Sequence, residues 1–311
     1  MNLKTKGIFL GVVSAISWGT YGSFLTLLGN LGINYMTLVA LAPTITWLFF
    51  FIKILISNRS AFNLTPKLYI ILALSGLINI DGMNFCYVKA LATVPVGIVS
   101  ICAFCNVLFL MVFTKIMFGY KFTSHKLIAS LAAILGVTLV LQVFNAGGVL
   151  NVAGIGWAIA IPIVLAVGYT IQKYCLVDGV EPDAVMFFLN FFGALGVYIF
   201  QVSPAVMIKD VAHVISINGS IALLAVLGFA LFPQIISFFA FINAYKYIEP
   251  TYVSVCYGLD PVTAGILGFI LFGQKLGISQ IIGIIIVILA ILFIQYKEGK
   301  EDLAVAETVT G

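Results

Sequence analysis

The sequence predicts an all-α integral membrane protein of ten transmembrane helices in two inverted five-helix repeats. Three observations carry that prediction: a composition too apolar for water, a series of long apolar runs, and a stretch that occurs twice. At 62% hydrophobic and 8% charged residues over 311 positions, with a mean hydropathy of +1.19, most of the surface must face lipid. Helices suit such a chain because each satisfies its own backbone N–H and C=O groups where there is no water to do so. The net charge of +4 comes from lysines that punctuate the apolar runs, so it builds no basic patch and argues against a nucleic-acid partner.

In order, the runs are Gly7–Gly29, Ile33–Ile56, Lys67–Leu91, Val94–Met117, Ser124–Phe144, Val152–Cys175, Pro182–Ser203, Gly219–Tyr245, Thr251–Phe272 and Gly277–Tyr296. Each approaches or exceeds the ~20 residues a helix needs to cross about 30 Å of hydrocarbon. The first is too long for a signal-peptide core and lacks a convincing cleavage site, so it reads as a retained span. Residues 298–311 are short and polar, and disorder is expected there. With the N-terminus inside, the inner ends and loops carry Lys4, Lys6, Lys53, Arg59, Lys67, Lys115, Lys121, Lys126, Lys173, Lys246, Lys297 and Lys300. Only Lys89, Lys209 and Lys275 are then outside. That asymmetry predicts cytoplasmic termini in the cell (plasma) membrane.

The repeat joins Lys89–Lys121 to Asn243–Lys275. Slid without gaps, the chain sets Ala90 on Ala244, Val99-Ser100 on Val253-Ser254, Cys102 on Cys256, and Phe118-Gly119-x-Lys121 on Phe272-Gly273-x-Lys275. Two halves of one plan result, residues 1–145 and 146–297, with 298–311 as the tail. Five spans per half is an odd number, so the halves are expected to enter the membrane in opposite senses. That is the architecture of many alternating-access transporters, with the substrate near the midplane between repeats. The same register sets Asn106 on Asp260.

Several motifs in this order make the chain resemble a known group. They are Trp18-Gly19 in the first span, Ala244-x-x-x-Ile248-x-Pro250-Thr251 entering the ninth, Asp260-Pro261 within it, and Phe272-Gly273-Gln274-Lys275 at its end. Together with the ten spans, they are similar to the EamA family of the drug/metabolite transporter superfamily over nearly the whole chain. The family pattern has an acidic residue before the midspan proline and another after the terminal glycine of each half. Asp260 keeps the first of these in the second half. Asn106-Val107 lacks it in the first half, and Tyr120 and Gln274 stand at the later positions. The resemblance implies a carrier for a small metabolite such as an amino acid or a related solute, often moved outward. The other readings are a facilitator or uptake carrier for an organic cation such as a quaternary amine, or a channel.

The residues themselves point to a substrate site at mid-depth. Asp260 lies near the middle of the ninth span, where a charge costs about 2.5–3.5 kcal/mol on insertion scales, so it should face the bundle interior. Pro261 cannot donate to the carbonyl of Tyr257, which would leave a polar notch beside the carboxylate. Cys256, Asp260 and Thr263 fall on one helical face by their spacing, matched in the fourth span by Cys102, Asn106 and Phe109. Asp81 and Asn84 make the third span polar at the same depth, on a face shared with Leu77 and Val88. Interface belts place Trp and Tyr at span ends, as at Tyr35, Tyr69, Tyr245 and Tyr296. Trp18 and Trp47 lie instead near span centres, with Tyr21 one turn after Trp18 and Tyr169 in the related part of the sixth span. Such rings fill the core or line a cavity, and beside two carboxylates they can cage an organic cation. The substrate-binding candidates are therefore Asp81, Asn84, Asn106, Asp260, Trp18, Tyr21, Tyr169 and Tyr257. Against this stands a structural reading in which a buried hydrogen bond or a proline-kink cap holds Asp260.

The remaining expectations concern partners and exclusions. Either central acid could carry a proton as coupling ion or hold a cationic substrate directly. Spans one, three, four, six, eight and nine should line the cavity, with five and ten outside it. His125 and His213 lie at span ends or in loops and the five cysteines lie in or beside apolar runs. No metal site, cofactor or enzyme activity is expected from them, and Cys102-x-x-Cys105 reads as packing. No filter-like or ring-forming motif supports a channel. Lipid and a small-molecule solute are the expected partners, and a monomer and a homodimer are both open.

Overall fold

In the computed structural model, residues 3–142, 152–273 and 277–310 are described. Among them there is no strand, and nine helices are long and apolar enough to span a membrane. These are span one (Leu3–Asn30), two (Tyr35–Ser57), three (Pro66–Leu91), four (Gly97–Phe118), six (Val152–Val177), seven (Pro182–Phe200), eight (Ser220–Ala244), nine (Pro250–Leu271) and ten (Ile278–Lys297). The fifth run is helical over Ser124–Val140, 17 residues, about 25 Å at 1.5 Å per residue. Its expected end at Phe144, and the boundary between repeats at residue 145, lie outside the described residues. So do Gln274 and Lys275.

Two segments differ from expectation. Pro204–Asn218, left unassigned by hydropathy, is a helix, begun by Ser203 accepting from the Val206 N–H with Pro204 in its first turn. It buries Met207 and Val214 and exposes Val206, Ile208 and Ile217, so it lies along the bundle end and does not cross it. The last helix runs on from Ile278 to Thr310 through the tail where disorder is expected. Leu303, Ala304 and Ala306 are good helix formers, so propensity favours continuation.

Packing repeats between the halves. Span one packs on eight and nine, and span six packs on three and four; two packs on seven, and five on ten. Exchanging the halves maps each contact onto another in that set. Spans five and ten cross at glycine, where a Cβ on Gly136 would come within 2.9 Å of the Gly283 carbonyl. Their outer faces present Leu135 and Ile288, as helices at the edge of a bundle in lipid do. Spans two and seven meet through rings, with Trp47 edge-on to Phe187 and Phe191 at 6.4 and 5.7 Å. Trp47 is therefore core between those two spans. Tyr245, expected in an interfacial belt, is 1% exposed because the Phe241 ring lies over it at 4.6 Å.

The backbone irregularities repeat as well. A π-helical segment interrupts span three at Leu77–Gly82 and span eight at Ala230–Ile236, and the register that joins Ala90 to Ala244 joins Leu77 to Leu231. Span four breaks at Cys105 and span nine at Tyr257-Gly258. Both end on a left-handed glycine, Gly119 at φ 69° and Gly273 at φ 65°, a conformation that costs glycine nothing.

Candidate functional site

The break in span nine presents Asp260. The second helical piece starts at Leu259, so Pro261 falls in its first turn, where a missing N–H is tolerated. The Tyr257 carbonyl is not left free as the sequence suggests, because the Asp260 N–H donates to it at 3.0 Å. Span one comes close here through Gly19. A Cβ on that residue would lie 2.7 Å from the Asp260 carbonyl oxygen and 2.6 Å from Thr263 Cβ. Trp18 is the residue before that glycine. It stacks on Tyr21 at 4.9 Å and meets Phe238 edge-on at 5.4 Å.

Three tyrosines from three spans lie close enough to feel the Asp260 charge: Tyr87, Tyr169 and Tyr257. Tyr257 is held by serines, with its hydroxyl 2.8 Å from Ser14 Oγ. Ser14 Oγ donates to the Ser237 carbonyl at 2.9 Å, and Ser237 Oγ donates to the Ser14 carbonyl at 3.1 Å. Spans one, eight and nine are thus tied at one buried point. Tyr169 packs on Phe241 at 5.2 Å, and Phe241 meets Tyr257 edge-on at 5.8 Å. Among the described residues, no side chain hydrogen-bonds or ion-pairs with the Asp260 carboxylate. Every Lys and Arg lies toward a span end or in a loop, so the aromatic surround contains no balancing cation.

Asn106, the register mate of Asp260, is committed elsewhere. Ser254 Oγ donates to its Oδ1 at 2.6 Å, and its Nδ2 donates to the Ala103 carbonyl at 2.8 Å. Asp81 does not join the Asp260 group. Its carboxylate packs against Gly196 of span seven, with both oxygens buried and without a hydrogen-bond partner. Leu77 and Val88, expected on its face, are exposed. The π-helical segment accounts for this, because one extra residue in a turn rotates the rest of the helix by about 100°. Asn84 is half-buried beyond that segment. Tyr21 continues from Trp18 to Phe229 at 5.6 Å and into the cluster of Leu28, Leu38 and Val214. Tyr87, Ser14, Ser237 and Ser254 belong to this buried polar group, and polarity at mid-depth did not single them out. Ser254 was legible in the repeat itself, as the mate of Ser100.

The bundle is closed at the face that carries the N-terminus. There Lys126 donates to Glu249 at 2.6 Å, Lys53 pairs with Asp183, and Lys173 donates to the Tyr245 carbonyl. Lys126–Glu249 and Lys53–Asp183 each join one half to the other. Tyr120, standing where the family pattern has an acid, is near this Glu249; burial and then the Glu249 charge raise its phenol above the ordinary value. A carboxylate in its place would repel Glu249. Every residue of Pro250–Cys256 is buried, packed on Asn106–Phe118. The corresponding segments toward the other face, Val96–Phe104 and Leu259–Phe272, make at most marginal contact. Asp260 sits where the closed part gives way to the loose part. A separate cavity of about 150 Å³ between spans four and six is lined by Phe113, Ile116, Met117 and Ile171; with an apolar wall throughout, it lies apart from this group.

An all-helical bundle of apolar spans, built twice from one plan around a polar mid-depth group, defines a multi-pass membrane transporter. A match to the EamA-like transporter family covers residues 5–142 and 152–296, one copy per half. The chain belongs to that family, within the drug/metabolite transporter superfamily. No curated protein matches the chain. A crystal structure among the solved proteins shares the fold with a TM-score of 0.74 at 18% identity, over 93% of this chain and 96% of that one.

Proposed function

We propose that the protein is a secondary-active, alternating-access carrier of a small metabolite bearing an ammonium group, an amino acid or a related amine, with Asp260 as its anchor. The observation that carries this is the unpaired Asp260 carboxylate at the helix break of span nine, with Tyr257 three residues before it and Tyr87 and Tyr169 within range of its charge. A carboxylate at that depth needs a partner, and aromatic faces attract a cation without supplying a competing one. The halves are read as an inverted repeat about an axis in the membrane plane. Support comes from the exchange-symmetric contacts and from span six ending, at Lys173, on the face where span one begins. The lysine distribution supports a cytoplasmic location for that face in a plasma membrane. The conformation described then opens away from the cytoplasm.

A second role for Asp260 is favoured by the same missing partner: a proton can occupy the carboxylate when the solute does not, which couples one to the other. Counterflow in proteoliposomes tests the carrier reading. Trans solute should accelerate labelled amine uptake; uptake unaffected by trans solute would indicate a channel. Replacing Asp260 with Asn should abolish gradient-driven accumulation while sparing exchange if it couples protons, and abolish binding if it holds the ammonium.

A further inference from the structure

Resting on the alternating-access reading, we propose that Ser254 and Ser100 are reciprocal latches. Ser254 closes one face on Asn106, and Ser100 closes the other on Asp260. The repeat register joins Ser100 to Ser254 and Asn106 to Asp260. The observed bond from Ser254 Oγ to Asn106 Oδ1, 2.6 Å long and buried, therefore has an image under exchange of the halves: Ser100 Oγ donating to the Asp260 carboxylate. The first bond lies where Pro250–Cys256 is packed on Asn106–Phe118. The image lies where Val96–Phe104 and Leu259–Phe272 stand apart, and there it is not made.

The side chains around the two serines explain how one can wait while the other is engaged. Ser100 Oγ is 3.2 Å from the hydroxyl of Tyr87, which parks it on its own half. The register mate of Tyr87 is Phe241, which has no hydroxyl, so Ser254 has no such local partner and reaches across to Asn106. When the halves rock, Ser100 exchanges the Tyr87 hydroxyl for a carboxylate, a stronger charge-assisted acceptor, and Ser254 loses Asn106. The Asp260 carboxylate then has a donor from the protein whenever the loose face closes over an empty site. The carboxylate has two acceptor oxygens, so a bound ammonium can hold one while Ser100 donates to the other, and the loose face can close over a loaded site as well.

Two native cysteines report the state. Cys256 is fully buried on the closed side, its Sγ 3.3 Å from where a Cβ on Gly11 would lie; its mate Cys102 is half-buried on the loose side. The test is alkylation of the full-length protein in proteoliposomes by a soluble maleimide, read for each cysteine by mass spectrometry. Ser254→Ala should speed labelling of Cys256 several-fold and slow that of Cys102. Ser100→Ala should do the reverse, and Ser100→Thr and Ser254→Thr, which keep a hydroxyl, should return both rates toward the unmodified protein. Both cysteines moving in the same direction, or neither moving, would overturn the latches. Counterflow by the same vesicles separates this from the transport reading. Reciprocal labelling without flux keeps the latches and removes the carrier, whereas flux without reciprocal labelling removes the latches alone.

Discussion

Asp81 and Asp260 are both carboxylates placed by sequence at the middle of a span, and the structure gives them opposite surroundings. Asp260 stands at a helix break, with its backbone against a glycine of span one and with Tyr87 of span three and Tyr169 of span six within range of its charge. Asp81 stands in a π-helical segment and turns into a tight interface, where its oxygens meet Gly196 and find no donor. Depth alone therefore does not set the surroundings of a mid-membrane acid. What differs is the local backbone: a helix break at Asp260, and at Asp81 a π-helical segment that turns the side chain into the contact between neighbouring helices.

The comparison can be broken by substitution, and Asp260→Asn should have the largest effect. Removing one partner of a buried charge pair costs about 2–5 kcal/mol, so amine binding measured by calorimetry should fall about thirtyfold or more. Gly19→Ala should come next. The added methyl meets the Asp260 carbonyl and Thr263, and overpacking of this kind costs about 1–3 kcal/mol, read as a lower Tm together with weaker binding. Trp18→Ala removes a ring next to the Gly19–Asp260 contact and should weaken binding by about 0.5–2 kcal/mol, the range of a cation–π contact, with a lower Tm from its lost contacts with Tyr21 and Phe238. Asp81→Asn should be smallest. It preserves shape beside Gly196, so binding should stay within about twofold, roughly 0.4 kcal/mol. A thirtyfold loss there would place both acids at one site and erase the distinction.

Much of this was legible in the residues, because hydropathy reports lipid directly. The apolar runs locate the spans to within a few residues, and the gapless repeat sets Gly119 on Gly273, the two left-handed glycines. Pro204–Asn218 was not legible, since a helix lying along the bundle end alternates apolar and polar residues and never builds a twenty-residue run. The orientation of Asp81 was not legible either. Helical-face arithmetic assumes 3.6 residues per turn, and the extra residue at Leu77–Gly82 shifts that phase. Asp260 stood out because a charge in an apolar span is conspicuous. Tyr87 and Ser14 were not, because a tyrosine or serine in such a span is ordinary until the neighbouring helix is known.

The central claim is that the carboxylate of Asp260 receives an ammonium group. Its most direct test is a thermal-shift titration of the purified protein and of Asp260→Asn against amino acids, polyamines, quaternary amines and nucleosides. Stabilisation confined to ammonium-bearing solutes, present in the unmodified protein and lost in Asp260→Asn, is the predicted result. Stabilisation by uncharged nucleosides alone, or an amine response that survives in Asp260→Asn, would contradict it.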